Sequence, residues 1–204
     1  MEKIDFKKEL KNLYSPSKQE ACVVEVPPFK FLMIDGHGDP NHSAEYQEAI
    51  SALYSLAYTI KFKVKKGPQA IDFSVGALEG LWWVPNMDLF SIEDRSAWEW
   101  TMMIMQPELV TPELLEEMRR EVLKKKPLAA LAKVRLEVFH EGPSAQIMHV
   151  GPYSTEGPSV AKLHHFISEQ GYQLSGKHHE IYLKDPNRTN PDKLLTILRQ
   201  PFTQ

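Results

Sequence analysis

The chain has 204 residues, 42% hydrophobic and 25% charged, with a formal net charge of −3. That is an ordinary globular composition, long enough for one large domain or two small fused ones. The single Cys22 excludes an intramolecular disulfide and a cysteine-based zinc site, and the mildly acidic balance argues against a nucleic-acid partner.

The start, MEKIDFKKEL, is charged and has no signal-peptide core. No apolar run approaches the roughly 18–20 residues that cross a bilayer, so no membrane role is expected. With one cysteine, a reducing, cytoplasmic location is the expectation. Residues 1–20 form an N-terminal extension, with a small helix packing at the edge of the fold.

Val23–Val26 and Phe31–Ile34 alternate like strands across Pro27-Pro28, a hairpin signal. After Gly36-His37-Gly38-Asp39-Pro40, Ser43 is the N-cap of a helix. Tyr46, Ala49, Ile50, Leu53, Tyr54, Ala57 and Ile60 follow at the spacing of one buried helical face. Ile71–Val75 then reads as a strand running on to Trp82-Trp83. A long polar loop is expected over Pro85–Ser96, before a strand from Trp98 to Ile104.

Thr111-Pro112-Glu113 is a helix start with Thr at N-cap and Pro at N1, and Pro127 closes that helix. Val134–Phe139 and Ala145–Val150 repeat the hairpin pattern across Glu141-Gly142-Pro143-Ser144. Gly151-Pro152-Tyr153 leads to a helix carrying Val160, Leu163, Phe166 and Ile167, stopped at Gly171. Strands over His178–Leu183 and Leu194–Leu198 finish the chain.

The order β-β-α-β-β thus occurs twice. It divides the chain into a first repeat over 21–110, a connector helix over 111–126 and a second repeat over 127–204. Each repeat is an antiparallel sheet with a helix on one face, and a cleft at the junction of two repeats is a natural small-molecule site.

Period-2 alternation puts His178, Glu180 and Tyr182 on one face of their strand, with Ile181 and Leu183 on the other. Glu180 is then either on a solvated face or an acid inside an aromatic pocket, where an unpaired charge is costly until a cation meets it. Trp82 and Trp83 face opposite ways, while Trp98 and Trp100 share a face, and core and cleft readings stand side by side for these rings. Met102, Met103 and Met105 could adapt to irregular ligands. Glu79 is either a second cleft acid or a solvated turn residue. His164-His165 and His178-His179 are adjacent pairs without His-x-x-x-His or Cys partners, so neither a metal nor another cofactor is expected.

The duplication, the turn His149–Tyr153 and the strand Glu180–Pro186 resemble the GyrI-like small-molecule-binding domain family. Leu78–Trp83, Trp98-x-Trp100-Thr101 and Gln106-Pro107 are similar to its stand-alone bacterial branch. The resemblance implies an α+β fold of two SHS2-type units, a concave antiparallel sheet with helices on the outer face and a ligand cleft between the units. It implies a multidrug-binding protein that captures aromatic, often cationic compounds for sequestration or sensing; similar regulators also carry a DNA-binding domain, for which 204 residues are expected to leave no room. Its implied ligand residues here are Glu180, Tyr153, Tyr182, Phe73, Trp82, Trp98, Trp100 and Met102. Two alternatives come with it. One is a cofactor-independent hydrolase that opens cyclopropanoid genotoxins, with Glu180 and Tyr153 catalytic. The other is an interaction module that inhibits a partner such as DNA gyrase.

Overall fold

The computed structural model describes residues 3–68, 70–85 and 95–204. The chain begins with β1 (Lys3–Ile4), two one-turn helices α1 (Phe6–Glu9) and α2 (Lys11–Tyr14), β2 (Cys22–Val26), β3 (Phe29–His37) and the long helix α3 (Ala44–Lys66). It continues through β4 (Asp72–Phe73), β5 (Leu78–Trp83), β6 (Glu99–Gln106), α4 (Pro112–Lys125), β7 (Arg135–Phe139) and β8 (Gly142–Val150). It ends with α5 (Gly157–Glu169), β9 (Gln173–Leu174), β10 (His178–Tyr182) and β11 (Leu195–Thr203). The polar loop expected after Pro85 lies largely outside the described residues.

The helix signals act as their chemistry requires. The Ser43 hydroxyl accepts the backbone N–H of Tyr46 and the Thr111 hydroxyl that of Leu114, each satisfying a first-turn donor. Gly171 closes α5 with a φ of 77°, a left-handed conformation that suits glycine.

One antiparallel sheet runs β2-β8-β11-β10-β5-β6-β3-β7, with β9 paired to β11. Exchanging each strand for its counterpart in the other repeat reproduces that order read backwards. The sheet is thus pseudo-twofold about the β10–β5 seam, where Glu180 lies opposite Gly80. The two hairpins read from the sequence do not form. β2 pairs with β8 of the second repeat, and β7 pairs with β3 of the first. Each repeat's first strand crosses to the other's sheet. Alternation gives a strand its buried face but not its neighbour, so the exchange left no local trace.

The helices of the two repeats, α3 and α5, lie on one face of the sheet. α3 covers β3 and β6 through Ala49, Leu53, Leu56, Ala57 and Ile60, which meet Leu32, Ile34, Trp100, Met102 and Ile104. α5 covers β8 and β11 through Leu163 and Ile167, against Ala145, Ile147 and Leu198. The seam strands lie between the helices. On the opposite face Leu13 and Tyr14 of α2 pack on Phe31, Met33, Met103, Met105 and Ile181. The N-terminal extension therefore covers a sheet face rather than an edge, because its apolar pair Leu13-Tyr14 seals a surface both repeats leave bare.

Candidate functional site

Between α3 and the turn into α5, above the seam, the protein forms a half-open cavity of about 800 Å³. That volume suits a drug-sized organic molecule. Its floor is β5 and β10, its first wall is α3, and its second is the turn from β8 into α5. Tyr46, Ile50, Tyr54 and Tyr58 line the first wall at four-residue intervals, one stripe of a helix. A short 3-10 turn over Tyr153–Thr155 brings Tyr153 and Glu156 into the second.

Glu180 stands on the floor at 9% exposure. Gly80, directly across the strand pair, has no side chain to crowd it. A Cβ there would lie 2.8 Å from Trp82 Nε1 and 3.1 Å from Met102 Sδ, so glycine is what lets the indole lie down beside the acid. The Tyr182 hydroxyl donates to Glu180 Oε2 at 2.7 Å, and Trp82 Nε1 donates to the Tyr182 oxygen at 3.2 Å. His178 Nε2 lies 3.5 Å from Glu180 Oε1. Around this chain of bonds the rings pack edge-on or tilted against one another. Tyr153 meets Tyr182 with centroids 5.5 Å apart, and Trp82 meets Trp98 at 5.2 Å and Tyr46 at 6.0 Å. Burial, then the nearby Glu180 charge, pushes the Tyr182 hydroxyl well above its ordinary range. Burial, then Glu156, pushes Tyr153 up to about 12. Both phenols therefore stay protonated and can donate.

Glu156 is the second acid in the cavity, at 6% exposure. Its Oε1 has no hydrogen-bond partner. Burial, then the Glu180 carboxylate, raises its carboxyl to about 9, so it carries a proton at neutral pH. The cavity thus holds two carboxyl groups in different environments within a ring of π faces. Such a site can hold a cation against Glu180, stack a flat apolar ligand, or exchange protons with it.

Of the residues expected here, Glu180, Tyr182, Tyr153, Trp82 and Trp98 line the cavity. Three do not. Phe73 is on β4, pairs with β1 instead of continuing into β5, and lies in the core beside Lys61. Trp100 and Met102 are fully buried on β6, one strand from the seam and roofed by α3. Met103 and Met105 face the other way. Glu79 is neither a cleft acid nor solvated. It is buried on the opposite face, where it accepts from Tyr14 at 2.7 Å and lies 3.1 Å from His179 Nε2. His179 Nδ1 reaches Glu141 at 2.9 Å, and Arg199 Nη1 donates to the same carboxylate at 3.1 Å.

Sequence reasoning passed over Tyr46, Tyr54 and Glu156 as site residues. The tyrosine stripe was legible as part of a buried face, and its signal was hydroxyls in an otherwise aliphatic pattern. Glu156 reads as an ordinary acid at a helix start. Among the described residues no group of three or more His, Cys, Asp or Glu is arranged to hold a metal ion, and no helix is long and apolar enough to cross a membrane.

A twofold-repeated α+β sheet with an acid-bearing aromatic cavity at its seam defines a small-molecule-binding domain. Residues 20–201 match the GyrI-like small molecule binding domain, and the chain belongs to that family. Among solved structures, one described as an uncharacterized conserved protein from Listeria innocua is 44% identical. It superposes with a TM-score of 0.91 over 98% of this chain and 100% of its own. A structure described as a hydrolase from Listeria innocua is 43% identical, with a TM-score of 0.85 over 98% of this chain and 100% of its own. The EcmrR C-terminal domain, 11% identical, superposes with a TM-score of 0.58 over 91% of this chain and 98% of its own, a likeness of fold alone. No curated protein gives a significant match.

Proposed function

We propose that this protein captures hydrophobic aromatic cations in the cavity between its repeats, as a drug-binding protein of sequestration or sensing. The observation that carries this reading is the Glu180 carboxylate, buried among Tyr182, Trp82 and Trp98 with hydroxyl and indole donors ordered around it. A buried carboxylate is costly without a charge partner, and a cation above aromatic faces supplies one. Each cation–ring contact adds about 0.5–2 kcal/mol without demanding one ligand shape. The test is a titration with rhodamine 6G of wild type and Glu180→Gln, with the dye recovered and weighed by mass spectrometry. Micromolar binding, weakened about tenfold in the variant, with unchanged dye, is expected. Equal binding by both proteins would remove Glu180 from the site.

A second reading, hydrolysis, is favoured by the relative described as a hydrolase at 43% identity over nearly the whole chain. The substrate class is cyclopropanoid alkylating compounds. Water would add to the ring carbon while its proton passes to Glu180. The ring C–C electrons would move to the conjugated carbonyl, whose oxygen takes a proton from Tyr153. The proton held by Glu180 would then return to Tyr153 through solvent, restoring both groups. No cofactor enters that balance. A product heavier by one water, formed over many turnovers and lost in Glu180→Gln, would select this reading over simple capture.

A further inference from the structure

A cavity that captures cations already holds one of the chain's own. Arg95, just ahead of β6, lines the cavity together with Trp98. Its guanidinium carbon sits 5.0 Å from the centre of the Trp98 ring, within the range of a cation–π contact. The backbone folds the two residues onto each other, with the Trp98 N–H donating to the Arg95 carbonyl at 3.2 Å. Trp98 is only 3% exposed, with Trp82 tilted against it at 5.2 Å and Arg95 over its ring. A ring on which a ligand would stack is thus covered by a positive charge. Lys7, Lys184 and Arg188 also line the cavity, but among the described residues none of them lies over one of its rings. The Arg95 charge is felt deeper in the cavity as well. Burial and Glu180 raise the Glu156 carboxyl, and Thr196 and Arg95 pull it the other way.

We propose that Arg95 is a resident cation that sets the specificity of this site, its guanidinium holding the Trp98 face until an aromatic cation displaces it. This rests on the cation-capture reading above. An arginine stays charged at any working pH, so the stand-in is permanent. A ligand cation drawn to Glu180 therefore does not meet a bare indole. It either moves Arg95 off the ring or sits beside a like charge, and both cost affinity. A small hydrated cation gains too little ring contact to do this. A large flat cation replaces the guanidinium contact with stacking over several rings. A neutral flat molecule stacks without meeting a like charge. Arg95 thus selects among cations for flat, extended ones, and its removal favours cations over neutral analogues of the same shape.

The experiment is a fluorescence titration at pH 7 with two dyes on one ring system, Nile blue, a flat cation, and Nile red, its neutral oxo counterpart. Arg95→Gln should bind Nile blue about fivefold tighter than wild type does, with Nile red changed by less than about twofold. Arg95→Lys, which keeps a charge near the ring, should fall closer to wild type than to Arg95→Gln. In Arg95→Ala, millimolar methylguanidinium should take the place over Trp98 and restore the weaker Nile blue binding, while sodium chloride at the same concentration does not. Nile blue affinity unchanged or lowered in Arg95→Gln, or a gain shared equally by Nile red, overturns the proposal. Capture itself still stands in that case if Glu180→Gln binds Nile blue more weakly than wild type. Wild type that does not bind Nile blue, or binds it no better than Glu180→Gln does, overturns the capture reading and this inference with it.

Discussion

Glu79 and Glu180 stand on neighbouring strands, one residue apart in register, on opposite faces of the same sheet. On the face under α2, Glu79 is joined through His179 to Glu141 and Arg199, and a Tyr14 hydroxyl completes it. Two acids and two bases answer one another there, and the remaining space is only about 10 Å³. On the face between α3 and α5, two acids share a large cavity with tyrosines and tryptophans, and one carboxyl oxygen has no partner. A network that closes on itself is a fastening. Acids and rings left around open space form a candidate site.

The sharpest way to break this comparison is to open the closed face. His179→Ala strips both Glu79 and Glu141 of a partner in the dry interior, so a loss of about 3–5 kcal/mol is expected in urea unfolding. A loss below about 1 kcal/mol would mean the network fastens nothing.

The pH dependence of stability separates the two faces. Burial opposes charge on His179, but Glu141 and Glu79 outweigh it and raise its pKa to about 9. Its contribution is therefore complete below the ordinary histidine range and lost as pH rises through 9. Glu141 is held near 2 because His179 and Arg199 outweigh its burial, so its contribution is lost only as pH falls toward 2. On the cavity side Glu156, raised to about 9, keeps a proton that the unfolded chain gives up above 4.5. Stability should then decline between pH 5 and 9. Glu156→Gln should be more stable than wild type by about 1–3 kcal/mol at pH 7, with the gap growing toward pH 9. A variant less stable at both pH values would show that Glu156 is already satisfied by the fold.

Smaller changes sharpen the cavity itself. Tyr182→Phe removes the hydroxyl that donates to Glu180 and accepts from Trp82. One bond to a charged group is worth about 1.5–3 kcal/mol, part of which a bound cation recovers, so rhodamine affinity should fall about fivefold. Phe73→Leu, in the core and outside the cavity lining, should cost about 1 kcal/mol of stability and leave rhodamine affinity unchanged. A change in affinity there would return Phe73 to the site.

Most of the element order was legible, since helix caps and apolar periods are local. Ser43, Thr111-Pro112 and Gly171 mark their boundaries by chemistry visible in a few residues. The shared face of Glu180 and Tyr182 followed from period-2 alternation, which set Trp82 against Trp83 without saying which of the two meets the cavity; it is Trp82. Strand partnership was not legible. The pairing of β2 with β8 joins residues more than a hundred apart, and nothing in Val23–Val26 distinguishes that partner from the nearby β3. The break between β4 and β5 also escaped, because Phe73 and Leu78 fit one alternating run as well as two. Glu79 and Glu156 were misjudged or passed over for a related reason. Whether an acid is answered depends on Tyr14 and His179 in one case and on an empty cavity in the other, and neither is local.

The most direct measurement is a crystal structure of the protein soaked with rhodamine 6G. The account places the dye's flat ring between Trp82, Trp98 and Tyr182, with its cationic nitrogen within about 6 Å of an aromatic face and turned toward Glu180. Dye bound elsewhere, or in the cavity with its charge turned away from Glu180, would contradict the assignment of that acid as the cation's partner.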